Sequence, residues 1–330
     1  MVHGCAFISQ QHTQLKCWLR RYYARLRPFV FFTLWLGALL FSPLSQAKVP
    51  VVLILSDSTP SYRAAVTGFA SRYQGQFTTF LAKDIQGRVS LTDAPKAVFI
   101  TIGARALHDI TSFVGPDDLV ISALAPKQSV LAIIHSGNPA VRISTAQMCR
   151  LYIDQPLERQ MHLARLLLPN AKSVGVALSQ QTLRLLPDIR KAADAEQLET
   201  QHTLVLNNEN PVQRLRDTLA TTDVFLTLPD QTIFTRTTAK WILYMSLRQR
   251  IPLIGFSKKY VDAGALAAVY TTPRQAGQEA ADLLATNRCA GTETYPRYFS
   301  VSTNPAAARA LRIDLPSEQQ LHKALGGSDV

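Results

Sequence analysis

Small polar residues follow the predicted strands of this sequence, and their type and position suit them to ligand binding. Ser56, Asp57 and Ser58 come directly after an apolar run, and Thr101 and Gly103 end another. Hydroxyls, and the backbone amides at the start of helices, hold carboxylates and other anions without titrating. Their alternative role is to cap helices, as Ser, Thr and Asp commonly do. Residues of the same kind follow later strands at Ser179, Asp230, Thr232 and Ser257.

Two acidic and two aromatic residues extend the chemistry of this set. Asp57 or Asp230 is suited to pair with a ligand ammonium group, while Tyr62 and Tyr270 are suited to stack on an aromatic ligand. Ordinary core packing is the alternative role of both tyrosines. Ligands of open parallel sheets bind beyond the carboxyl ends of the strands, so these positions predict one shared cleft. The candidate ligand-binding residues are Ser56, Asp57, Ser58, Tyr62, Thr101, Gly103, Ser179, Asp230, Thr232, Ser257 and Tyr270.

Motifs for catalysis, cofactors and metals are missing from the sequence. It contains no G-x-G-x-x-G after the first strand, no G-x-x-x-x-G-K-[ST] and no G-x-S-x-G. The five histidines beyond residue 47 form no H-x-x-x-H pair, and neither cysteine there has a metal-ligand spacing. We therefore predict no catalytic residues, no cofactor and no metal. The alternative of an enzyme built on a nucleotide-binding type of sheet is a distant one.

The composition is that of a folded globular protein of about two domains. The 330 residues are 47% hydrophobic and 18% charged, with a formal net charge of +12. Five basic residues and no acidic ones lie within residues 1–47, so the remainder carries 30 basic and 23 acidic residues. Because those charges are scattered and no basic block interleaves with aromatic residues, we predict no nucleic-acid binding.

The N-terminal segment has the parts of a secretory signal peptide. After the basic stretch, an apolar run of 14 residues extends from Phe29 to Ser42, and small residues stand at Ser45 and Ala47. We predict that residues 1–47 are a signal peptide cleaved after Ala47, which places the protein in the periplasm. The alternatives are an uncleaved N-terminal anchor and a core helix, although the run is shorter than the roughly 20 residues of a spanning helix.

Beyond residue 48, apolar strand patterns alternate with helical ones, which predicts an α/β fold. Residues 49–56 form a continuous apolar run, typical of a strand buried on both faces of a sheet. The alternation of strands and helices restarts near residue 150, where Asp154 and Pro156 are typical of a helix start. Thr232 is expected to begin a later helix. Two such runs predict two similar lobes with parallel sheets. Further strands are expected at 77–81, 97–102, 119–124, 173–178, 203–206, 224–228, 251–256, 265–270 and 298–301.

Residues 251–270 resemble the ABC-transporter substrate-binding family of the tryptophan/tyrosine type. The pattern is Gly-Phe-Ser at 255–257 with Ala-Gly-Ala-Leu at 263–266, followed by Gly-Gln-Glu-Ala-Ala at 277–281. The resemblance extends to residues 53–62, 158–160, 168–169, 228–230, 295–300 and 307–313. It implies a periplasmic binding protein fold of type I, with two Rossmann-like lobes joined by a hinge. Residues 136–154 depart from the family pattern, which bears on the hinge and on partner docking.

The resemblance also implies a function for the protein and the residue ranges of its two lobes. It implies a monomeric, non-enzymatic solute-binding protein that captures a small molecule, an amino acid or a similar small acid, and delivers it to an ABC permease or another inner-membrane partner. The alternative is a sensory or accessory module for a membrane receptor or kinase without a dedicated permease. Lobe one is expected to comprise residues 48–148 and about 262–292, and lobe two residues 149–261 and about 293–330.

The same resemblance bears on the two cysteines that remain after export. Cys149 and Cys289 would lie on neighbouring crossovers between the lobes if the family fold holds, and a disulfide there would tether the hinge. Two buried thiols are the alternative, with which the sequence is equally consistent.

Overall fold

The computed structural model of the chain describes residues 49–86, 90–92, 94–136, 148–207, 209–286 and 291–327. All the described residues belong to one compact unit, residues 49–330. The predicted signal peptide and Cys289 both lie outside the described residues, so the cleavage site and the disulfide stay predictions. Among the described helices, none combines the length and the hydropathy that a membrane span requires.

Twelve strands are described, and most are short, apolar and buried on both faces. They are β1 (Val51–Leu55), β2 (Phe77–Leu81), β3 (Val98–Ile102), β4 (Leu119–Ala125), β5 (Met148–Tyr152), β6 (Ser173–Ser179), β7 (Glu199–Val205), β8 (Val224–Leu226), β9 (Leu253–Gly255), β10 (Ala267–Tyr270), β11 (Glu293–Thr294) and β12 (Ser300–Thr303).

The helices alternate with these strands along the chain. They are α1 (Pro60–Arg72), α2 (Ala82–Ile85), α3 (Ala104–Ile110), α4 (Lys127–Ile134), α5 (Leu157–Leu167), α6 (Leu186–Ala195, preceded by a 3₁₀ turn at Leu183–Leu185), α7 (Pro211–Thr221), α8 (Arg236–Gln249), α9 (Lys258–Asp262), α10 (Pro273–Thr286), α11 (Pro305–Leu311) and α12 (Glu318–Ala324).

The strands form two six-stranded sheets, one for each lobe. The first has the order β11-β5-β4-β3-β1-β2, and all its pairings are parallel. The second has the order β12-β10-β9-β8-β6-β7, with β12 alone antiparallel to its neighbour. Separate apolar clusters cover the faces of each sheet, as expected where helices flank a buried parallel sheet. The predicted fold class, two α/β lobes with parallel sheets, is confirmed.

Three chain segments cross between the sheets, and hydrogen bonds tie them together. They are residues 153–156 after β5, 271–272 after β10 and 295–299 after β11. The Nε2 of Gln155 donates to Oγ1 of Thr271 at 2.8 Å, and that hydroxyl donates to the carbonyl of Tyr298 at 2.8 Å. These two hydrogen bonds connect all three crossovers. We call the three crossovers together the hinge.

A buried carboxylate anchors the third crossover to α10. Glu279 is fully buried, and its oxygens accept from the backbone N–H of Arg297 at 2.9 Å and from Nε of the same residue at 3.2 Å. Burial raises the pKa of Glu279, and these donors partly offset that effect. Arg159 holds the crossover from the other side, where its guanidinium donates to the carbonyl of Pro296 at 2.9 Å and lies 4.0 Å from the centre of the Phe299 ring.

Helix α10 crosses back from the second sheet and packs on α1 of the first lobe through two glycines. A Cβ at Gly68 would clash with the carbonyl oxygen of Arg274, and one at Gly277 would clash with that of Ala65. The two helix backbones are therefore in direct contact, an approach that any side chain at either position would prevent.

The boundaries of the lobes differ from those expected. β5 pairs with β4 in the first sheet, although residues from 149 onward were assigned to lobe two. β10 belongs to the second sheet and β11 to the first, the reverse of their expected assignment. The expected boundary was set where the alternation of strands and helices restarts near residue 150. Lobe membership is instead decided by strand pairing between distant segments.

Two expected helix starts are also different. Pro156 and not Asp154 occupies the N-cap position of α5, and the Asp154 carboxylate instead accepts from the backbone N–H of Lys127, the first residue of α4. Helix α8 begins four residues after Thr232, and Thr235 caps it by accepting from the N–H of Thr238 at 3.2 Å. In the first case the predicted cap bonds to a different helix, and in the second a threonine three residues further along the chain is the cap.

The contact between α1 and α10 leads to a stability prediction. Gly277→Ala should lower the free energy of unfolding by about 1–3 kcal/mol, because the added methyl group forces two helix backbones apart. Gly115→Ala is the matched control, since a Cβ there meets its nearest atom, a carboxylate oxygen of Asp118, at an ordinary 3.4 Å. Urea denaturation of both variants checks this, and equal stability of the two would contradict the packing described.

Candidate ligand cleft

A cavity of about 500 Å³ lies at the carboxyl ends of strands from both sheets, directly over the hinge. It is walled by the residues that follow β4, β5, β6, β8, β9 and β10, which is where parallel α/β sheets bind ligands. Its lining residues are Pro126, Gln128, Ser129, Ile153, Asp154, Gln155, Gln160, Gln181, Thr182, Pro229, Asp230, Gln231, Thr232, Phe234, Phe256, Ser257, Val269, Tyr270 and Thr271.

Asp230 is the centre of the wall formed by the second lobe. It is 7% exposed, and its Oδ2 accepts from the hydroxyl of Thr182 at 2.8 Å. Its Oδ1 accepts from the backbone N–H of Thr232 at 2.9 Å. The Thr182 hydroxyl accepts in turn from the N–H of Ser179 at 2.9 Å. The loops after β6 and β8 are thus joined through one carboxylate.

Asp154 has the corresponding place on the wall formed by the hinge and the first lobe. Its Oδ2 accepts from the N–H of Lys127 at 2.6 Å, at the first turn of α4. Burial raises the pKa of the Asp154 carboxyl, and the bond from Lys127 offsets only part of that effect. A carboxylate is therefore held at the cavity despite the cost of removing it from water.

Gln155, Gln160 and Thr271 form the polar floor of the cavity. The bond from Gln155 to Thr271 is one of the bonds of the hinge, so the cavity and the hinge share side chains. Gln160 is 3% exposed, and its Nε2 donates to the carbonyl of Gln155 at 3.1 Å. Its Oε1 is buried, and it has no hydrogen-bond partner in the part of the chain that the structure describes.

Three aromatic side chains give the cavity an apolar side. Phe234, Phe256 and Tyr270 all line it, and the Tyr270 hydroxyl bonds to Oγ of Ser302 at 2.9 Å. That bond fixes the tyrosine ring at the end of β10. A lining that combines polar groups and aromatic rings suits a ligand with a charged or polar end and an apolar body.

A smaller cavity of about 50 Å³ adjoins the first, next to an ion-pair network at the sheet edge. Lys127 lines it, and its Nζ donates to Glu293 at 3.1 Å and to the hydroxyl of Tyr295 at 3.3 Å. Burial lowers the pKa of Lys127, but bonds to Tyr295 and Glu293 outweigh this and raise it. For Glu293 burial acts in the opposite direction and raises the pKa, but Lys127 and Arg150 bring the pKa below its ordinary value. The network joins β5 and β11, which pair beside it.

Four of the candidate residues predicted from the sequence line the cavity, and a fifth lies behind its wall. Asp230, Thr232, Ser257 and Tyr270 are in the lining, and Ser179 supports Thr182 from behind. All five come from the second lobe.

The six candidates from the first lobe cluster elsewhere, at the ends of β1 and β3, and none of them lines this cavity. Ser56 accepts from the N–H of Ala106 at 2.9 Å, which is the capping alternative. Gly103 has a φ of 97° and lies against the side chains of Ser56 and Tyr62. Thr101 is fully buried. The remaining three are partly or fully exposed: Asp57, Ser58 and Tyr62.

The contribution of the first lobe to the cavity was missed. It comes from the start of α4 and from the segment after β5, with Gln128, Ser129, Asp154 and Gln155 as polar members. Asp154 and Gln155 both follow a strand, but the sequence pattern of Asp154 and Pro156 favours a helix start over a binding site. Gln160 lies inside α5, and the resemblance over residues 158–160 did not mark it as a binding residue.

Residues 153–290 match the family model of the ABC transporter substrate binding protein. No protein of curated function matches the sequence. The matched range covers two of the three crossovers, most of the second lobe and α10. The resemblance recognised in the sequence is therefore confirmed.

Solved structures share the fold across both lobes. A crystal structure of an ABC domain in complex with L-Trp from Streptococcus pneumonia has a TM-score of 0.55 at 15% identity, covering 84% of this chain and 99% of that one. A ligand-free, open structure of a substrate binding protein with adhesive properties from Clostridium difficile has a TM-score of 0.58 at 13% identity, covering 82% and 97%. A conserved domain protein from Vibrio cholerae has a TM-score of 0.54 at 17% identity, covering 82% and 96%. The chain has the two-lobed fold of type I periplasmic binding proteins.

The buried carboxyl of Asp154 leads to a pH prediction. Its pKa in the folded protein lies above the ordinary value of 3.8, so the stability that the protonated form contributes is lost as pH rises through the folded pKa. Asp154→Asn keeps an oxygen for the N–H of Lys127 but carries no charge. The variant should therefore gain stability relative to the unaltered protein as the pH rises above about 4.

Urea denaturation at several pH values measures this difference. The matched control is Asp217→Asn, which alters an exposed carboxylate on α7 and should show no such gain. A stability difference for Asp154→Asn that falls with rising pH would show that the charged form is favoured by folding, contrary to the burial described.

Proposed function

We propose that this protein, whose residues 153–290 match ABC transporter substrate binding proteins, captures a small molecule between its lobes and delivers it to an ABC permease in the inner membrane. The observation that carries the proposal is the cavity itself. It lies over three hydrogen-bonded crossovers and takes lining residues from both lobes. Binding without catalysis accounts for such a site, and a monomer is sufficient for it.

Ligand capture in such a protein is a shift between open and closed forms. A ligand favours the closed form only by the difference between its contacts in the two forms. Here the lobes touch across the cleft, since Arg184 of the second lobe donates to Oε1 of Gln128 of the first, a lining residue. Asp154 and Asp230 line this same cavity, and we propose that one small ligand contacts both.

The ligand proposed from the sequence is an amino acid or a similar small acid. The solved structure from Streptococcus pneumonia holds L-Trp, and the aromatic side of the present cavity is compatible with a ring of that kind. Asp230, Thr232, Ser257 and Tyr270 are the proposed contacts that both the sequence and the cavity support.

Ligand binding predicts a gain in thermal stability. A solute that fills the cavity at 100 times its dissociation constant should stabilise the folded protein by about 2.7 kcal/mol, since it binds the folded form alone. The measurement is a thermal-shift screen of the purified protein against amino acids, organic acids, amines and sugars.

A variant that fills the cavity serves as the test of location. Ser257→Trp places a large ring in the lining and should remove the ligand-dependent rise, whereas Lys259→Trp, at an exposed position two residues away on α9, should leave it intact. If no solute raises the melting temperature, or if the rise persists in Ser257→Trp, the cleft is not the binding site.

Delivery to a permease requires export, and we propose the periplasm as the location. The support is the basic and apolar N-terminal pattern ending at Ala47. Mass spectrometry of the protein from a periplasmic extract should show an N-terminus at Lys48. A membrane-bound species that retains residues 1–47 would establish the anchor in its place.

A further inference from the structure

The charge of the cavity is one-sided. Asp154 and Asp230 are the charged residues of its lining, and the described lining includes no Lys, Arg or His. The nearby cations are already engaged: Lys127 faces the smaller cavity, where Glu293 and Tyr295 hold it, and Arg184 donates to Gln128. Asp188, which also lines the smaller cavity, adds a third carboxylate.

Two backbone amides beside the cavity are occupied by the chain's own carboxylates. The first N–H of α4, at Lys127, donates to Asp154, and the N–H of Thr232 donates to Asp230. Amides at the start of a helix or turn are the groups that hold a ligand carboxylate when no cationic side chain is present. Because Asp154 and Asp230 accept from them here, an incoming anion would meet two like charges instead.

Gln160 provides an independent sign that the cavity accepts a hydrogen-bond donor. Its side chain is 3% exposed and lines the cavity, and its Oε1 has no partner among the described residues. A buried carbonyl oxygen without a partner is costly, so a donor supplied by the ligand would satisfy it. Two carboxylates and one amide oxygen together offer acceptors to a group that carries several N–H bonds.

We propose that the ligand is an organic ammonium ion with an apolar or aromatic body and without a carboxylate group. The ammonium group lies between Asp154 and Asp230 and donates to Gln160, and the body lies against Phe234, Phe256 and Tyr270. The inference rests on the proposed function and narrows it, since it replaces the expected amino acid or small acid by an amine. A ligand carboxylate is excluded because like charges brought together in a desolvated site repel strongly.

Matched series of three compounds on one body test the charge preference. The indole series is tryptamine, L-tryptophan and indole-3-acetate, and the phenyl series is phenethylamine, L-phenylalanine and phenylacetate. Isothermal titration calorimetry on the purified protein measures each affinity. We expect the amine to bind at least about thirtyfold more tightly than the amino acid of its series, and the acid to show no binding.

Variants assign the preference to the two carboxylates. Asp154→Asn and Asp230→Asn should each weaken binding of the amine by about tenfold or more, because each keeps the shape and an acceptor oxygen but removes a charge. Asp217→Asn, on the exposed face of α7, is the control and should leave amine affinity unchanged. Gln160→Met should weaken amine binding, because it removes the acceptor oxygen; it also removes the bond from Nε2 to the carbonyl of Gln155, so its melting temperature is measured alongside.

The outcomes separate this inference from the proposed function. Tighter binding of the amino acid or the acid than of the amine overturns the inference and leaves the solute-binding function standing. The same holds if no amine binds while a sugar or an acid does. Amine binding that is unaffected by Asp154→Asn and by Asp230→Asn also overturns it, because the charge then lies elsewhere. If no solute of any class binds, both the inference and the proposed function are overturned.

Discussion

The hydrogen bonds that run from Gln155 through Thr271 to the carbonyl of Tyr298 connect all three crossovers, and the rest of the structure depends on them. Each sheet has its own apolar core, so neither core dictates where the other lies. The crossovers determine the relative position of the two sheets, because they bring the carboxyl ends of both sets of strands to one place. A cavity at this point is the direct consequence, and two side chains of the hinge, Gln155 and Thr271, form part of its floor.

The buried carboxylates of this molecule have different consequences according to what surrounds them. Glu279 is satisfied by Arg297 and by backbone donors, and it holds the third crossover on α10. Asp154 and Asp230 are satisfied by backbone amides and a hydroxyl, with no cation among their hydrogen-bond partners described. The charge of Glu279 is thus balanced by a cation within the protein. The arrangement of Asp154 and Asp230 leaves two negative charges at a cavity wall, which gives the site an electrostatic preference that its shape alone does not.

Much of the fold was predictable from local pattern. Continuous apolar runs such as Val51–Leu55 predicted buried parallel strands. The candidate site was predictable only in the second lobe, where Asp230, Thr232, Ser257 and Tyr270 follow strands and also line the cavity. In the first lobe the same rule selected Ser56 and Gly103, which cluster away from it, because several strand ends exist and only the position of the hinge selects among them.

The sequence by itself determined the class of fold, the alternation of strands and helices, and the resemblance to substrate-binding proteins. These follow from hydrophobic periodicity and from local motifs, which are properties of neighbouring residues. Only the tertiary structure decided which strands share a sheet, that Asp154 caps α4 across a separation of 27 residues, and that Gln160 lines the cavity and has a buried, unpaired oxygen. Such features depend on contacts between segments far apart in the chain, where the geometry of packing, and not the local pattern, selects the partner.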